Sequence, residues 1–170
     1  MDPLVALARR AVEAAAKTGT RLRDAPADLP IEAGPRACFV SLHDAQNRLR
    51  GCIGTLEPCT GSLAEEILQN AHSAALRDHR FSPLTAAELP GLQVKVDVLG
   101  PLEPIPGTAA LDPRRYGVVV ASADGRRGVL LPDLEGIDTV AQQVDIARRK
   151  AGIGPGEPVQ LSRFTVARHG

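Results

Sequence analysis

The stretch Leu49-Arg50-Gly51-Cys52-Ile53-Gly54-Thr55 brings a thiol, a guanidinium and two glycines together within seven residues. On a regular strand Arg50, Cys52 and Gly54 share one face, with Arg50 and Cys52 roughly 7 Å apart. A guanidinium close to a thiol favours the thiolate, which is the nucleophilic form. The spacing therefore predicts that Cys52 is a nucleophile and that Arg50 stabilises charge or binds an anion, beside an open notch at Gly54.

A purely structural interpretation of the same stretch stays open. A free cysteine is often a small buried apolar side chain, and glycines let a helix pack closely on a strand. A thiol nucleophile also needs a base, and no motif places one of the four histidines beside Cys52. We expect His43 in a hairpin turn, His72 beside the apolar stripe of a helix, His79 at the end of that helix and His169 in a terminal segment.

A second concentration of polar residues follows a predicted helix. Asp78 falls on the helical stripe that otherwise carries apolar side chains. A carboxylate on a core-facing stripe needs a partner, which Arg80 or Arg50 can supply. Two interpretations follow: a structural ion pair that fixes the end of the helix, or one pocket lined by Arg50, Cys52, Asp78 and Arg80.

The composition is that of one globular domain spanning residues 1–170. Lys plus Arg and Asp plus Glu both number 20, so the net charge is zero, which argues against a protein held to nucleic acid by bulk charge. The three cysteines form no C-x2-C pair, so the sequence predicts neither a metal site nor a cofactor. No apolar run approaches 18 residues, and we expect a cytoplasmic protein with reduced thiols.

Caps, turns and periodicity predict three helices and six strands. The helices run from an N-cap at Asp2 to Gly19, from Ser62 to His79, and from Thr139 to Gly152. The strands span Arg36–Leu42, Leu49–Leu56, Leu92–Leu99, Tyr116–Ala121, Arg127–Leu131 and Val159–Ala167, with a proline-rich crossing before the fourth.

The order strand-strand-helix-strand occurs twice in this prediction. The pair Arg50–Gly51 recurs as Arg127–Gly128, and the capping Ser62 recurs as Thr139, in both cases 77 residues later. We interpret this as an internal duplication with repeat halves 36–99 and 114–168, which together complete one mixed sheet.

Two segments carry a family resemblance. Leu49–Leu56 followed by Asp78–Leu84 resembles the AMMECR domain family, whose bacterial and archaeal members are called protein A of the AmmeMemoRadiSam system, and the likeness covers nearly the whole chain. The resemblance implies an α+β fold with a mixed, largely antiparallel sheet flanked by helices. It also implies genomic association with a Memo-like protein and a radical-SAM protein, and it brings no established reaction. It marks as the candidate functional set Arg50, Gly51, Cys52, Gly54, Asp78, Arg80 and Phe81.

The residues and the resemblance together predict a cytosolic enzyme or enzyme component. It binds a small anionic metabolite at the strand Arg50–Gly54, acts beside Memo-like and radical-SAM proteins, and has Cys52 and Asp78 as candidate catalytic residues. The candidate ligand-binding residues are Arg50, Gly51, Gly54, Arg80 and Phe81. One alternative is a nucleotide- or RNA-binding module, disfavoured by the neutral charge and scarce aromatics. The other is a non-catalytic scaffold that receives a strand or terminus of those partners.

Overall fold

The computed structural model describes residues 1–170, which form two compact units. The first unit comprises residues 1–99 and 167–170, and the second comprises residues 100–166. The helices are α1 (Pro3–Thr18), α2 (Leu63–Leu76) and α3 (Val140–Lys150). The strands are β1 (Cys38–His43), β2 (Leu49–Gly54), β3 (Gln93–Leu99), β4 (Glu103–Ile105), β5 (Gly117–Ser122), β6 (Arg127–Leu130), β7 (Val159–Phe164) and β8 (Val166–His169). No helix is both long and apolar enough to cross a membrane.

The first unit is a four-stranded sheet, in the order β2-β1-β3-β8, packed against α1 and α2. The Asp2 side chain caps α1 by accepting from the backbone N–H groups of Leu4 and Val5, and Gly19 ends the helix in the left-handed conformation. Alternate residues of β1, among them Val40 and Leu42, are fully buried in the core shared with the helices. β2 is left as an edge strand.

The second unit repeats this arrangement with its own sheet, in the order β4-β7-β5-β6, and with α3 packed against it. In each unit a hairpin is followed by a helix and by a third strand that pairs with the first hairpin strand. The helix α3 buries only Gln143 and Ala147, whereas α2 buries residues on two sides because α1 packs on it as well.

The α+β class and the antiparallel pairing agree with the sequence prediction, but the strands form two sheets instead of one. β4 is an additional strand inside the proline-rich crossing. It tolerates Pro104 because β4 lies at the edge of its sheet. The predicted last strand is broken at Thr165, and the two pieces, β7 and β8, belong to different sheets.

One glycine in each hairpin sets how closely its helix approaches the sheet. A Cβ atom on Gly51 would lie less than 3.0 Å from the carbonyl oxygen of Ala74 in α2. A Cβ atom on Gly128 would also lie less than 3.0 Å from the carbonyl oxygen of Ala147 in α3. The recurring Arg-Gly pair therefore reflects a backbone contact between strand and helix that excludes every side chain.

We expect Gly51→Ala and Gly128→Ala each to lower the free energy of unfolding by about 1–3 kcal/mol, because the added methyl group must displace helix backbone. Urea unfolding measures this loss. Gly61→Ala and Gly107→Ala are the matched controls, one in each unit, since an added Cβ meets no atom closer than 3.6 Å at either position. Equal stabilities for all four variants would contradict the close approach.

Candidate functional site

The outer edge of β2 is closed by side chains that follow α2, and no further strand pairs there. The backbone N–H of Cys52 donates to Oδ2 of Asp78 at 3.0 Å, and its carbonyl oxygen lies 3.5 Å from Nη2 of Arg80. One side chain thus accepts from the strand edge while the other donates to it, as a neighbouring strand would. An edge closed in this way does not add a foreign strand at Cys52.

Asp78 is the buried centre of this arrangement, with a side chain only 3% exposed. Arg80 binds both of its oxygens, Nε to Oδ1 at 3.1 Å and Nη2 to Oδ2 at 2.9 Å. Of the two partners predicted for Asp78, the structure therefore selects Arg80. The hydrogen bonds from Arg80 hold the pKa of Asp78 at about 2, and the carboxylate in turn raises the pKa of Arg80.

Arg50 binds a different carboxylate, which the sequence did not assign to the site. Its Nε and Nη2 atoms donate to the two oxygens of Glu88 at 2.7 and 3.2 Å. This bidentate contact is the main reason that the pKa of Glu88 falls to about 2. Glu88 also accepts from the backbone N–H and hydroxyl of Thr85, as a residue that caps the short 3-10 helix Ala86–Gly91.

The ring of Phe81 is close to both arginines. The guanidinium carbons of Arg50 and Arg80 are 5.9 and 5.5 Å from the centroid of its ring, within cation–π range. Both arginines use Nε and Nη2 on their carboxylates, and neither Nη1 atom makes a hydrogen bond. The predicted residues Arg50, Cys52, Asp78, Arg80 and Phe81 are therefore brought together, with Glu88 as an addition.

The expected notch at Gly54 does not exist. A Cβ atom on Gly54 would lie less than 3.0 Å from the ring of Phe39, its cross-strand partner on β1. The missing side chain of Gly54 therefore makes room for an aromatic ring of the protein and not for a ligand. Gly51 also offers no space, because it faces the backbone of α2.

Cys52 is half-buried, and its environment differs from that of the other two cysteines. Asp78 is the main cause of the raised pKa of Arg80, and the charge of a Cys52 thiolate contributes to it. The sulfur is therefore close enough to the guanidinium for an electrostatic interaction. Cys38 is fully buried, and burial raises the pKa of its thiol to about 12. Cys59 is exposed.

No group of three or more His, Cys, Asp or Glu side chains is placed to hold a metal ion.

On the face of the sheet that carries Cys52, the register places Ser41 of β1 directly opposite it, and Lys95 of β3 opposite Ser41. His43 is the last residue of β1 and not part of the turn as expected, and its Nε2 atom lies 3.3 Å from Oγ of Ser41. Sequence reasoning missed this cluster because the end of the strand was placed one residue too early.

The second unit serves as an internal comparison for these features. There too a basic side chain binds the edge carbonyl two residues after the arginine of the Arg-Gly pair: Nζ of Lys150 donates to the oxygen of Val129 at 2.9 Å. Val129 takes the place of Cys52, and its cross-strand partner is Val119 where Ser41 stands in the first unit. The glycine contact and the edge cation thus belong to the fold, whereas the thiol and its polar neighbours belong to the first unit alone.

We expect Asp78→Asn to lower the free energy of unfolding by about 2 kcal/mol at neutral pH, because the pKa of Asp78 is far below its unfolded value. A lowered pKa stabilises the fold above the unfolded value and loses that contribution as the pH falls toward about 2. Urea unfolding from about pH 7 to pH 2.5 should therefore show a difference from wild type that is constant at first and then shrinks. Asn in place of the exposed Asp24 is the control, and a pH-independent difference would contradict this assignment.

The comparisons with known proteins place this geometry in a family. A protein of Thermotoga maritima is 49% identical over 132 residues, which cover 77% of this chain and 75% of that protein. Protein CA_C1420 of Clostridium acetobutylicum is 42% identical over 171 residues and matches 99% of this chain, which spans only 36% of that longer protein. The crystal structure of the uncharacterized protein PH0010 from Pyrococcus horikoshii superposes with a TM-score of 0.88 at 32% identity, covering 98% of this chain and 89% of that one.

These relatives and the family model agree with the resemblance carried by the Arg-Gly-Cys stretch. The model described as AMMECR1 matches residues 5–169. The chain therefore belongs to the AMMECR1 family.

Proposed function

We propose that this protein is a cytosolic, thiol-dependent enzyme or enzyme component that binds a small anionic ligand beside β2, with Cys52 as its nucleophile. The observation that carries the proposal is the half-buried thiol next to a guanidinium that a buried carboxylate holds in place. A fixed cation near a thiol stabilises the thiolate. Arg80 cannot turn away, because it binds both oxygens of Asp78 and approaches the Cys52 carbonyl.

The free hydrogen-bonding capacity of the arginines supports a ligand with one negative charge. Arg50 and Arg80 each keep Nη1 for a carboxylate or similar group, which need not displace Glu88 or Asp78. The charges of Arg50 and Arg80 are balanced by those of Asp78 and Glu88, so the site has no net positive charge to attract a polyphosphate. We assign ligand binding to Arg50, Arg80 and Phe81, and a positioning role to Asp78.

The contribution of Cys52 is covalent. Its thiolate forms a bond from sulfur to an electrophilic carbon of the ligand, and the displaced electron pair moves onto the oxygen attached to that carbon. Nη1 of Arg80 is a cationic donor that can stabilise that oxygen. Asp78 does not take the proton in this scheme, since its pKa of about 2 keeps it ionised and bound to Arg80.

We also propose that the protein works beside Memo-like and radical-SAM proteins, as the family resemblance implies. In the Clostridium acetobutylicum relative this region is joined to a larger remainder, since 99% of this chain matches only 36% of that protein. A chain in which the AMMECR1 region is joined to a larger remainder is expected where this region acts together with other domains. Loss of co-purification with a Memo-like protein in Arg50→Ala would show that the partner binds at this site.

The two alternative functions have weaker support. An RNA-binding module needs cations that are free to contact phosphates, and Arg114, Arg126 and Arg149 each form an ion pair with an acidic residue instead. A scaffold that accepts a partner strand needs an open edge, and the edge of β2 is occupied at Cys52 by Asp78 and Arg80.

The three cysteines make a sensitive test of the local charge. We expect iodoacetate, compared with neutral iodoacetamide, to favour Cys52 over Cys59 by about threefold to tenfold, because Nη1 of Arg80 can donate to the carboxylate of the reagent. Mass spectrometry of the native protein measures the alkylation rate at each cysteine. Cys59 supplies the exposed reference and Cys38 the fully buried one.

Arg80→Gln should bring the preference of Cys52 for iodoacetate down to that of Cys59. Gln in place of Arg77, which is exposed on the same segment, is the matched control and should leave the preference intact. Equal preferences at Cys52 and Cys59 in the wild type, or a Cys52 that reacts only on unfolding, would contradict the proposed function.

A further inference from the structure

None of the charged groups at the edge of β2 can remove a proton from Cys52. Arg80 is a guanidinium, which stays protonated in proteins. Asp78 is occupied by donors from Arg80 and Cys52, and those from Arg80 are the main cause of its pKa of about 2. Arg50 holds Glu88 in the same state. A base for Cys52 must therefore lie on another side of the thiol.

The neighbour of Cys52 on β1 is a hydroxyl. Ser41 lies directly opposite Cys52 in the strand pairing. The N–H of Cys52 points away from β1, toward Asp78, so the two residues form a non-hydrogen-bonded pair. In such pairs the Cβ atoms are about 4.5–5.5 Å apart and the side chains leave the same face of the sheet. The Ser41 hydroxyl and the Cys52 thiol are therefore side by side.

His43 continues this row on β1. Its Nε2 atom lies 3.3 Å from Oγ of Ser41, a hydrogen-bond distance. When the imidazole is neutral and Nε2 accepts, the Ser41 hydroxyl donates to it and keeps its oxygen lone pairs for the thiol proton of Cys52. The second unit has valines, Val119 and Val129, at the positions of Ser41 and Cys52, so the row belongs to the first unit alone.

We propose that His43 is the base of this site and that it acts on Cys52 through the hydroxyl of Ser41. This inference rests on the proposed function, in which Cys52 is the nucleophile. The thiol proton moves to Oγ of Ser41 while the hydroxyl proton moves to Nε2 of His43. The products are a thiolate, which Arg80 stabilises, and an imidazolium, so that no atom is gained or lost and no further reactant is needed.

The surroundings of His43 keep its ring in the accepting form. Burial lowers the pKa of His43 and Lys95 on β3 acts in the same direction, whereas the backbone of Asn47 and the carboxylates of Asp44 and Asp97 oppose this more weakly. The ring is therefore neutral at pH 7. Because burial and Lys95 both disfavour the charged ring, the imidazolium loses its proton easily once it has formed. A base in this setting returns its proton readily, as a relay requires.

The pH dependence of iodoacetamide alkylation at Cys52 separates the relay from the thiolate itself. We expect the plot of the wild-type alkylation rate against pH to have two parts. The lower limb, below about pH 7.5, depends on His43, and the upper limb follows direct ionisation of the thiol. His43→Gln and Ser41→Ala should lower the rate near pH 6.5 about tenfold and leave the upper limb within about twofold. Ser41→Thr, which keeps a hydroxyl, should retain the lower limb.

His79→Gln is the matched histidine control, since His79 is exposed beside Asp78 and should not affect either limb. A lower limb that survives in His43→Gln, or one that is lost equally in His79→Gln, would overturn the relay. The iodoacetate preference is measured on the same variants. A variant that loses the lower limb but keeps the iodoacetate preference has lost the relay alone. Absence of the preference in the wild type would instead contradict the proposal that Cys52 is a nucleophile.

Discussion

The candidate site depends on one buried carboxylate that must find hydrogen-bond donors. Asp78 lies just past the end of α2, where water cannot solvate it, and ionised oxygens in such a place are stable only when donors surround them. It obtains them from the Arg80 side chain and from the backbone of Cys52. The same contacts fix the end of the helix, close the edge of the sheet and hold a cation beside a thiol. Structure and chemistry therefore share one ion pair.

The similar strand arrangement of the two units helps to divide the residues between these two purposes. Both units need a glycine where the helix backbone meets the hairpin, and both place a basic side chain on the edge carbonyl. Only the first unit adds Cys52, Ser41 and the Arg50–Phe81 contact. Each unit is thus a scaffold of the same kind, and most of the buried polar side chains lie in the first one. Such an uneven distribution is expected of a functional site and not of a repeat kept for stability.

Local signals predicted much of the fold. The caps at Asp2, Ser62 and Thr139 mark true helix starts, since a side chain that binds a free backbone N–H acts within one turn. The partnership of Asp78 with a nearby arginine was also visible, because a carboxylate on an apolar stripe must be paired. Strand β4 was missed, since the proline that argues against a strand is harmless at a sheet edge.

Contacts between residues distant in the sequence were beyond such reasoning. Nothing in the sequence tells that the ring of Phe39 fills the space beside Gly54, or that Glu88 serves Arg50 as well as its own helix cap. The carboxylate of Glu66 is a further example. It is fully buried, and it binds Thr55, Cys59 and Thr60, so that it holds the loop that follows β2. These contacts depend on the register of the sheet, which no local pattern specifies.

The origin of β8 has a consequence for how the chain matures on the ribosome. All strands of the second unit come from one continuous segment, so that unit has its complete sheet as soon as residues 100–166 have been made. The first unit waits longer, because β8, the neighbour of β3, is translated after the whole of the second unit. Until then the edge of β3 is unpaired and open to chaperones or to a neighbouring nascent chain. The unit that is translated first is therefore the one that finishes folding last.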